Sequence, residues 1–321
     1  MKDIDVYGIG NAIVDLQFKV EDSELDSLGL EKAGMKLVSD TEQKAILSRI
    51  EDKSVNTASG GSGANTIIAL SQLGAKVAYG CLVANDDFGK SYQRDMEKLG
   101  IETDTKPEQG STGTCLVMIT PDAERTMCTC LGVSQNFSKQ HISEEFIKRS
   151  KWLYIEGYLL SSSEGIEAAL ESVRLAKMHG TKIAITFSDK FIVEGFRNIL
   201  DKIFNQADLF FANYSEATAY FGSDEFRKIS PHLEFGVITN SDKGAIIINN
   251  GEEIAVEPFP AKAVDVTGAG DIFAAGFLYG ITQGYELLKS GKIACLLGSK
   301  VVSKLGPRLD EDLNKLIEQH V

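Results

Sequence analysis

At 321 residues the chain has room for one large α/β domain with insertions or for two modest domains. Its composition, 43% hydrophobic and 25% charged, is ordinary for a globular protein, and the formal charge of −13 argues against binding nucleic acid through its phosphates. No apolar stretch reaches membrane-spanning length, and Asp3, Asp5 and Asp15 interrupt any leader-like N-terminus, so the expected location is cytoplasmic.

Ile4–Gly10 reads as a first strand ending in Gly8-Ile9-Gly10-Asn11. That tetrapeptide imitates a dinucleotide fingerprint, but Ile13–Val20 continues with strand alternation where such a site needs a helix. Asn65–Leu73 suits a helix stopped by Gly74, Lys76–Val83 a strand, and Asp86–Leu99 a helix ending at Gly100. The alternation recurs: strand Trp152–Ile155, helix Gly165–His179, and strands Ile183–Phe187, Leu209–Phe211 and Val237–Thr239. Such a succession predicts a mostly parallel sheet covered by helices on both faces. Two strand-rich segments, about 13–38 and about 112–131, leave this rhythm and are expected to pair as a small antiparallel flap inserted in one domain spanning 1–321.

The five cysteines (Cys81, Cys115, Cys128, Cys130 and Cys295) are odd in number and scattered, as expected of reduced thiols. Cys128 and Cys130 lack a second pair or a nearby histidine, which argues against zinc there. None of the four histidines falls in a motif.

The most informative run is Val264–Phe273. It sets Gly268, Ala269 and Gly270 where an extended segment becomes a helix, so that unpaired first-turn N–H groups and the helix dipole form an anion site. Asp271 then stands at the rim, placed to take a proton from an attacking hydroxyl. Alone, Gly-Ala-Gly-Asp is also a plain turn with a capping carboxylate. A second run, Ser59-Gly60-Gly61-Ser62-Gly63-Ala64-Asn65-Thr66, offers exposed backbone N–H groups at Gly60 and Gly61 and a donor and acceptor at Asn65.

Together, in this order and about two hundred residues apart, the two runs resemble the N- and C-terminal signatures of the ribokinase-like (phosphofructokinase-B-type) family of sugar and nucleoside kinases. The resemblance covers essentially the whole chain and implies a three-layer α/β/α sandwich with a mostly parallel central sheet and a small β-sheet lid. It implies an ATP-dependent kinase that transfers the γ-phosphoryl group to a primary hydroxyl, with Asp271 as base and Gly268, Ala269 and Gly270 as the anion hole. Asn11, Asp15, Gly60, Gly61 and Asn65 would bind the substrate, Asp15 by taking two sugar hydroxyls, and Arg125 on the lid would fold onto the transferring phosphate.

Asn213-Tyr214-Ser215-Glu216 matches the family's Asn-x-x-Glu motif, which organises phosphates and Mg²⁺, Glu216 through water. Thr239, Gly244 and Thr267 would complete the ATP site; Ser241 stands where the family usually has glycine, a departure that bears on the loop's conformation. The helix around Ala294-Cys295 would border the ATP base, or be plain core. Some members place K⁺ beside the loop that here holds Asp265 and Thr267, and members are monomers or lid-mediated homodimers.

Gly10-Asn11-x-x-x-Asp15, Thr112–Cys115 and Tyr154–Tyr158 resemble the adenosine kinase branch. Leu16, Met35, Leu37, Cys115 and Met127 would then wall a nucleobase, or else simply pack the lid. The rival within the family is a sugar kinase for ribose, fructose or 2-keto-3-deoxygluconate, though no extra cation for a keto-acid carboxylate is identifiable. The rival outside it is a non-catalytic nucleoside- or sugar-binding regulator on the same fold.

Overall fold

The computed structural model describes residues 2–32, 34–104, 106–122 and 124–321. Its main sheet contains β1 (Ile4–Ile9), β5 (Val77–Gly80), β8 (Ser150–Glu156), β9 (Lys182–Thr186), β10 (Leu209–Asn213), β11 (Phe235–Thr239), β12 (Ala245–Asn249) and β13 (Glu252–Val256). The order is β13-β12-β11-β10-β9-β8-β1-β5, parallel from β5 through β11 and closed by an antiparallel hairpin of β12 and β13. Alternate residues feed two separate apolar layers. Tyr154, Ala184, Phe211 and Val237 enter one, while Leu153, Ile155, Ile185, Phe210 and Ile238 enter the other. Helices Ser62–Gln72, Ala269–Thr282 and Leu287–Val301 cover the first face, and helices Glu144–Arg149, Ser163–His179 and Arg197–Phe204 the second. The expected three-layer α/β/α sandwich is the result.

Helix Ala269–Thr282 is apolar nearly all round because it lies between the sheet and helix Leu287–Val301. A side chain at Gly276 would sit 2.9 Å from the Ala294 Cα, and one at Gly280 2.6 Å from the Ser290 Cβ. The glycines thus let the two helices approach closely and fix the N-terminus on which Asp271 stands.

The lid is a second sheet of five strands: β2 (Ile13–Lys19), β3 (Met35–Leu37), β4 (Ser54–Gly60), β6 (Gly113–Ile119) and β7 (Arg125–Cys130), in the order β3-β7-β6-β2-β4. It corrects the sequence expectation in three respects. The sheet is mixed, since β2–β6 and β3–β7 are parallel and β2–β4 and β6–β7 antiparallel. It includes β4, outside the two expected segments, and the first of those segments contains a helix, Asp22–Leu28. That helix buries Leu25 in the same apolar core as Val14, Phe18 and Ile50. Ala123, within the sequence motif around Arg125, lies outside the described residues. Among the described residues no helix is long and apolar enough to cross a membrane.

Candidate active site

A cavity of about 1370 Å³ lies at the carboxyl ends of the parallel strands, under the lid. Parallel sheets bind ligands at this edge, where loops diverge and helix N-termini converge. Asn11 follows β1, Glu156 ends β8, Thr186 ends β9, Asn213 ends β10 and Thr239 ends β11, and all five border the cavity. So do Asp15, Gly61, Asn65, Arg125, Glu216, Gly244 and Thr267–Asp271. Of the residues nominated from sequence for catalysis, polar substrate contacts or the nucleotide, only Gly60 does not. A Cβ there would lie 2.6 Å from Asp15 Oδ2, so its lack of a side chain makes room for the Asp15 carboxylate.

Asp271 occupies the first turn of helix Ala269–Thr282, whose N-cap, Gly268, has φ +75° and no capping side chain. Ala269 N donates to the Val266 carbonyl (3.2 Å), while the next N–H groups have no capping side chain and are left for an anion. The Ser62 hydroxyl donates to Asp271 Oδ1 (2.6 Å) and the Asn65 amide to Oδ2 (2.9 Å). Burial raises the Asp271 pKa to about 6 against these two hydrogen bonds. Asn65, nominated as a substrate ligand, thus orients the carboxylate; its Oδ1 is buried without a hydrogen-bond partner and remains available.

Arg125 begins β7 and reaches across to Asp265, with which it forms a buried ion pair; their side chains are 7% and 0% exposed. Asp265 also accepts from Thr267 N (3.0 Å) and Gly306 N (2.6 Å), so one carboxylate joins the lid cation, the loop before the Asp271 helix and the C-terminal segment. Asp15 projects from the same lid face. Burial lifts its pKa to about 7, with Arg125 and Arg308 pulling it down.

Asn213 and Glu216 form a reciprocal cap at the start of helix Tyr214–Phe221. Glu216 accepts from Asn213 N (3.0 Å) and Nδ2 (2.5 Å), and Glu216 N donates to Asn213 Oδ1 (2.9 Å). Burial raises the Glu216 pKa to about 7. Among the described residues no group of three or more His, Cys, Asp or Glu converges as a metal cage. A single carboxylate with spare lone pairs fits an ion that keeps most of its waters, as Mg²⁺ does.

The chain from 24 to 313 matches the model of the pfkB family of carbohydrate kinases. The structure superposes on a probable sugar kinase from Rhizobium etli with a TM-score of 0.93, 34% identity and 99% of each chain covered. It superposes on an adenosine kinase from Sinorhizobium meliloti with a TM-score of 0.92 and 33% identity, covering 99% of this chain and 100% of the other. An adenosine kinase from Saccharomyces cerevisiae is 26% identical over 93% of this chain and 95% of its own length. The chain belongs to the pfkB family of carbohydrate kinases.

As a pfkB kinase it is a phosphotransferase with an alcohol as acceptor, and kinases of this family use ATP and typically Mg²⁺. Sequence reasoning passed over one prominent residue of the cavity. Glu156 is 1% exposed, and burial raises its pKa to about 7. It accepts from Asn11 N (3.0 Å), Asn11 Nδ2 (3.3 Å) and Gly63 N (2.9 Å), which ties β1 to the uncapped start of helix Ser62–Gln72. Ser134 donates to the Asn11 Oδ1 (3.0 Å), so most of the polar capacity of Asn11 is spent within the protein. A Cβ at Gly10 would collide with Glu156, which accounts for the second glycine of the misleading Gly-Ile-Gly-Asn. A carboxylate ending the apolar run Trp152–Ile155 was the available signal, by the same logic that singled out Asp15.

Of the five apolar lid residues, Met35, Leu37, Cys115 and Met127 border the cavity, together with Ile13 and Leu131. Leu16 does not. It alternates with Asp15 along β2 and packs in the core on the opposite face.

In the loop after β11, Ser241 adopts φ +50°, the left-handed conformation for which glycine is suited. Gly244 has φ +82°, and a Cβ there would strike the Val256 carbonyl. Serine thus holds the glycine-like turn at a cost of about 1–2 kcal/mol. Ser241→Gly is expected to raise the stability by about 1 kcal/mol in urea denaturation. An unchanged or lower midpoint contradicts the strain. Gly60→Ala, in contrast, is expected to weaken acceptor binding at least tenfold by pushing the Asp15 carboxylate from its place. The check is KM for acceptor against KM for ATP, the latter changing little.

Proposed function

We propose that this kinase transfers the γ-phosphoryl group of ATP to the 5′-hydroxyl of adenosine, giving AMP. The observation that carries the reading is the apolar wall of Ile13, Met35, Leu37, Cys115, Met127 and Leu131 on the acceptor side of the cavity, beside the Asp15 carboxylate. A free sugar has no large apolar face to fill such a wall, whereas a nucleobase does, and its ribose supplies the vicinal diol that two carboxylate oxygens accept. The 33% identity to the Sinorhizobium meliloti adenosine kinase over nearly the whole chain supports the same reading.

Asp271, fixed by Ser62 and Asn65, takes the proton of the attacking hydroxyl. The N–H groups of Gly268 and Gly270, at the start of the Asp271 helix, hold the charge on the phosphoryl oxygens during in-line transfer. Arg125 adds a lid cation when it exchanges Asp265 for phosphate. Thr239, Gly244 and Thr267 line the triphosphate path. Glu216 would hold Mg²⁺ through water, and the ion would supply positive charge to the phosphates.

The test is ADP release from Mg·ATP with adenosine, inosine, guanosine, cytidine, ribose, fructose and 2-keto-3-deoxygluconate as acceptors. Turnover with adenosine at least tenfold above the rest is expected. Preference for a free sugar, the reading that the 34% identity to the Rhizobium etli probable sugar kinase favours, overturns the nucleoside assignment and returns the lid wall to ordinary packing.

A further inference from the structure

Ser188 combines two unfavourable features on the wall of the cavity. Its φ is +66°, and only three of the described non-glycine residues have positive φ. Its hydroxyl is also buried without a hydrogen-bond partner, although it borders the cavity. A left-handed serine is strained by its Cβ, and a buried hydroxyl without a partner forfeits the hydrogen bonds it makes in water. Strain of this kind persists where the site uses it.

Its position in the sheet says for what. Along the carboxyl edge the strand order β11-β10-β9-β8-β1 brings forward, in turn, Thr239, Asn213, Thr186, Glu156 and, just past β1, Asn11. The first two belong to the side read as the nucleotide's and the last to the acceptor's. The loop after β9, which holds Ser188, is the midpoint of that row. Glu156, Tyr158, Glu216 and Asp271 line the same cavity as Ser188, and Asp189 follows it in the chain. Tyr158 in turn reaches Asp189 (3.4 Å). A hydroxyl left unbonded on the wall of such a cavity is free to donate to a ligand.

We infer that the Ser188 hydroxyl donates a hydrogen bond to a non-bridging oxygen of the phosphoryl group as it passes from nucleotide to acceptor, which makes Ser188 a catalytic residue of this kinase. The inference rests on the phosphoryl-transfer reading of the cavity and not on the identity of the acceptor. Ser188 N lies 3.3 Å from the Thr186 hydroxyl, so the end of β9 helps hold the backbone in the turn that directs Ser188 inward.

Two variants separate the hydroxyl from the backbone. Ser188→Ala removes the donor and keeps the strained conformation, while Ser188→Gly removes the donor and relaxes it. Both are expected to lose about 10- to 100-fold in kcat, at or below the 10²–10³ typical of a single oxyanion donor because the helix N–H groups share the charge. KM for ATP and for acceptor should change less than threefold, and Ser188→Gly should melt at or above the wild-type temperature. A kcat within twofold of wild type in either variant overturns the inference, as does a loss confined to KM. The assay uses whichever acceptor the wild type phosphorylates fastest. A sugar preference would thus overturn the adenosine assignment and leave the Ser188 comparison decisive.

Discussion

Asp271→Asn is expected to fold, to bind ATP normally and to lose about 10²–10⁴ in kcat, the contribution of a positioned general base. The amide keeps the shape and can still meet Ser62, but it has no basic oxygen pair for the acceptor's proton. The same carboxylate sets the pH dependence. With a pKa raised to about 6 by burial, the wild-type rate should fall below that pH and level off above it. Stability runs the other way. Because the folded pKa lies above the ordinary carboxylate value, the native state binds more protons than the unfolded chain between about pH 4 and 6. The carboxylate's contribution is therefore lost as pH rises through that window, and Asp271→Asn should melt higher than wild type at pH 7.5. Near-normal turnover, or a rate independent of pH between 5 and 7, would remove Asp271 from the chemistry.

Arg125→Ala is expected to cost both stability and rate. Removing one member of a buried ion pair leaves the other uncompensated, a loss of about 3–5 kcal/mol in unfolding free energy. Asp265 keeps its hydrogen bonds from Thr267 and Gly306, which argues for the lower end of that range. The double variant Arg125→Met/Asp265→Asn should recover at least half of the stability, because no charge remains buried alone. Its kcat should stay about 10²–10³ below wild type, since the lid cation is gone. Full recovery of rate along with stability would make Arg125 a purely structural link between lid and body. Urea denaturation and steady-state kinetics on the two variants decide the matter.

Much of the body was legible because its strands and helices alternate in sequence and carry strong periodicity. Helix Asp87–Lys98 lies within one residue at each end of its expected span, since Asp86 caps it and Gly100 follows with φ +69°. The β12–β13 hairpin was missed, although Asn250-Gly251, with φ +50° and +84°, is a strong short-range turn signal. The lid was harder. Its helices Asp22–Leu28 and Asp40–Leu47 are too short to show a period, though Ser39 and Glu42 carry a readable capping box. Strand β4, Ser54–Gly60, is exposed over its first four residues, so no apolar alternation betrays it.

By itself the sequence determined where an uncapped helix start meets the cavity, at Gly268–Gly270, because glycine spacing before a helix is a local property of the backbone. It also determined the sandwich, because apolar periodicity is local too. Which polar atoms remain free was decided only by the tertiary structure. Asn11 and Asn65 carry similar side chains, yet one is spent on Glu156 and Ser134 while the other orients Asp271. Arg125 meets Asp265 across 140 residues, and the Ser188 hydroxyl is left with no partner. Hydrogen-bond satisfaction depends on neighbours distant in sequence, and a buried donor acquires its role from the contacts that the fold gives it or withholds.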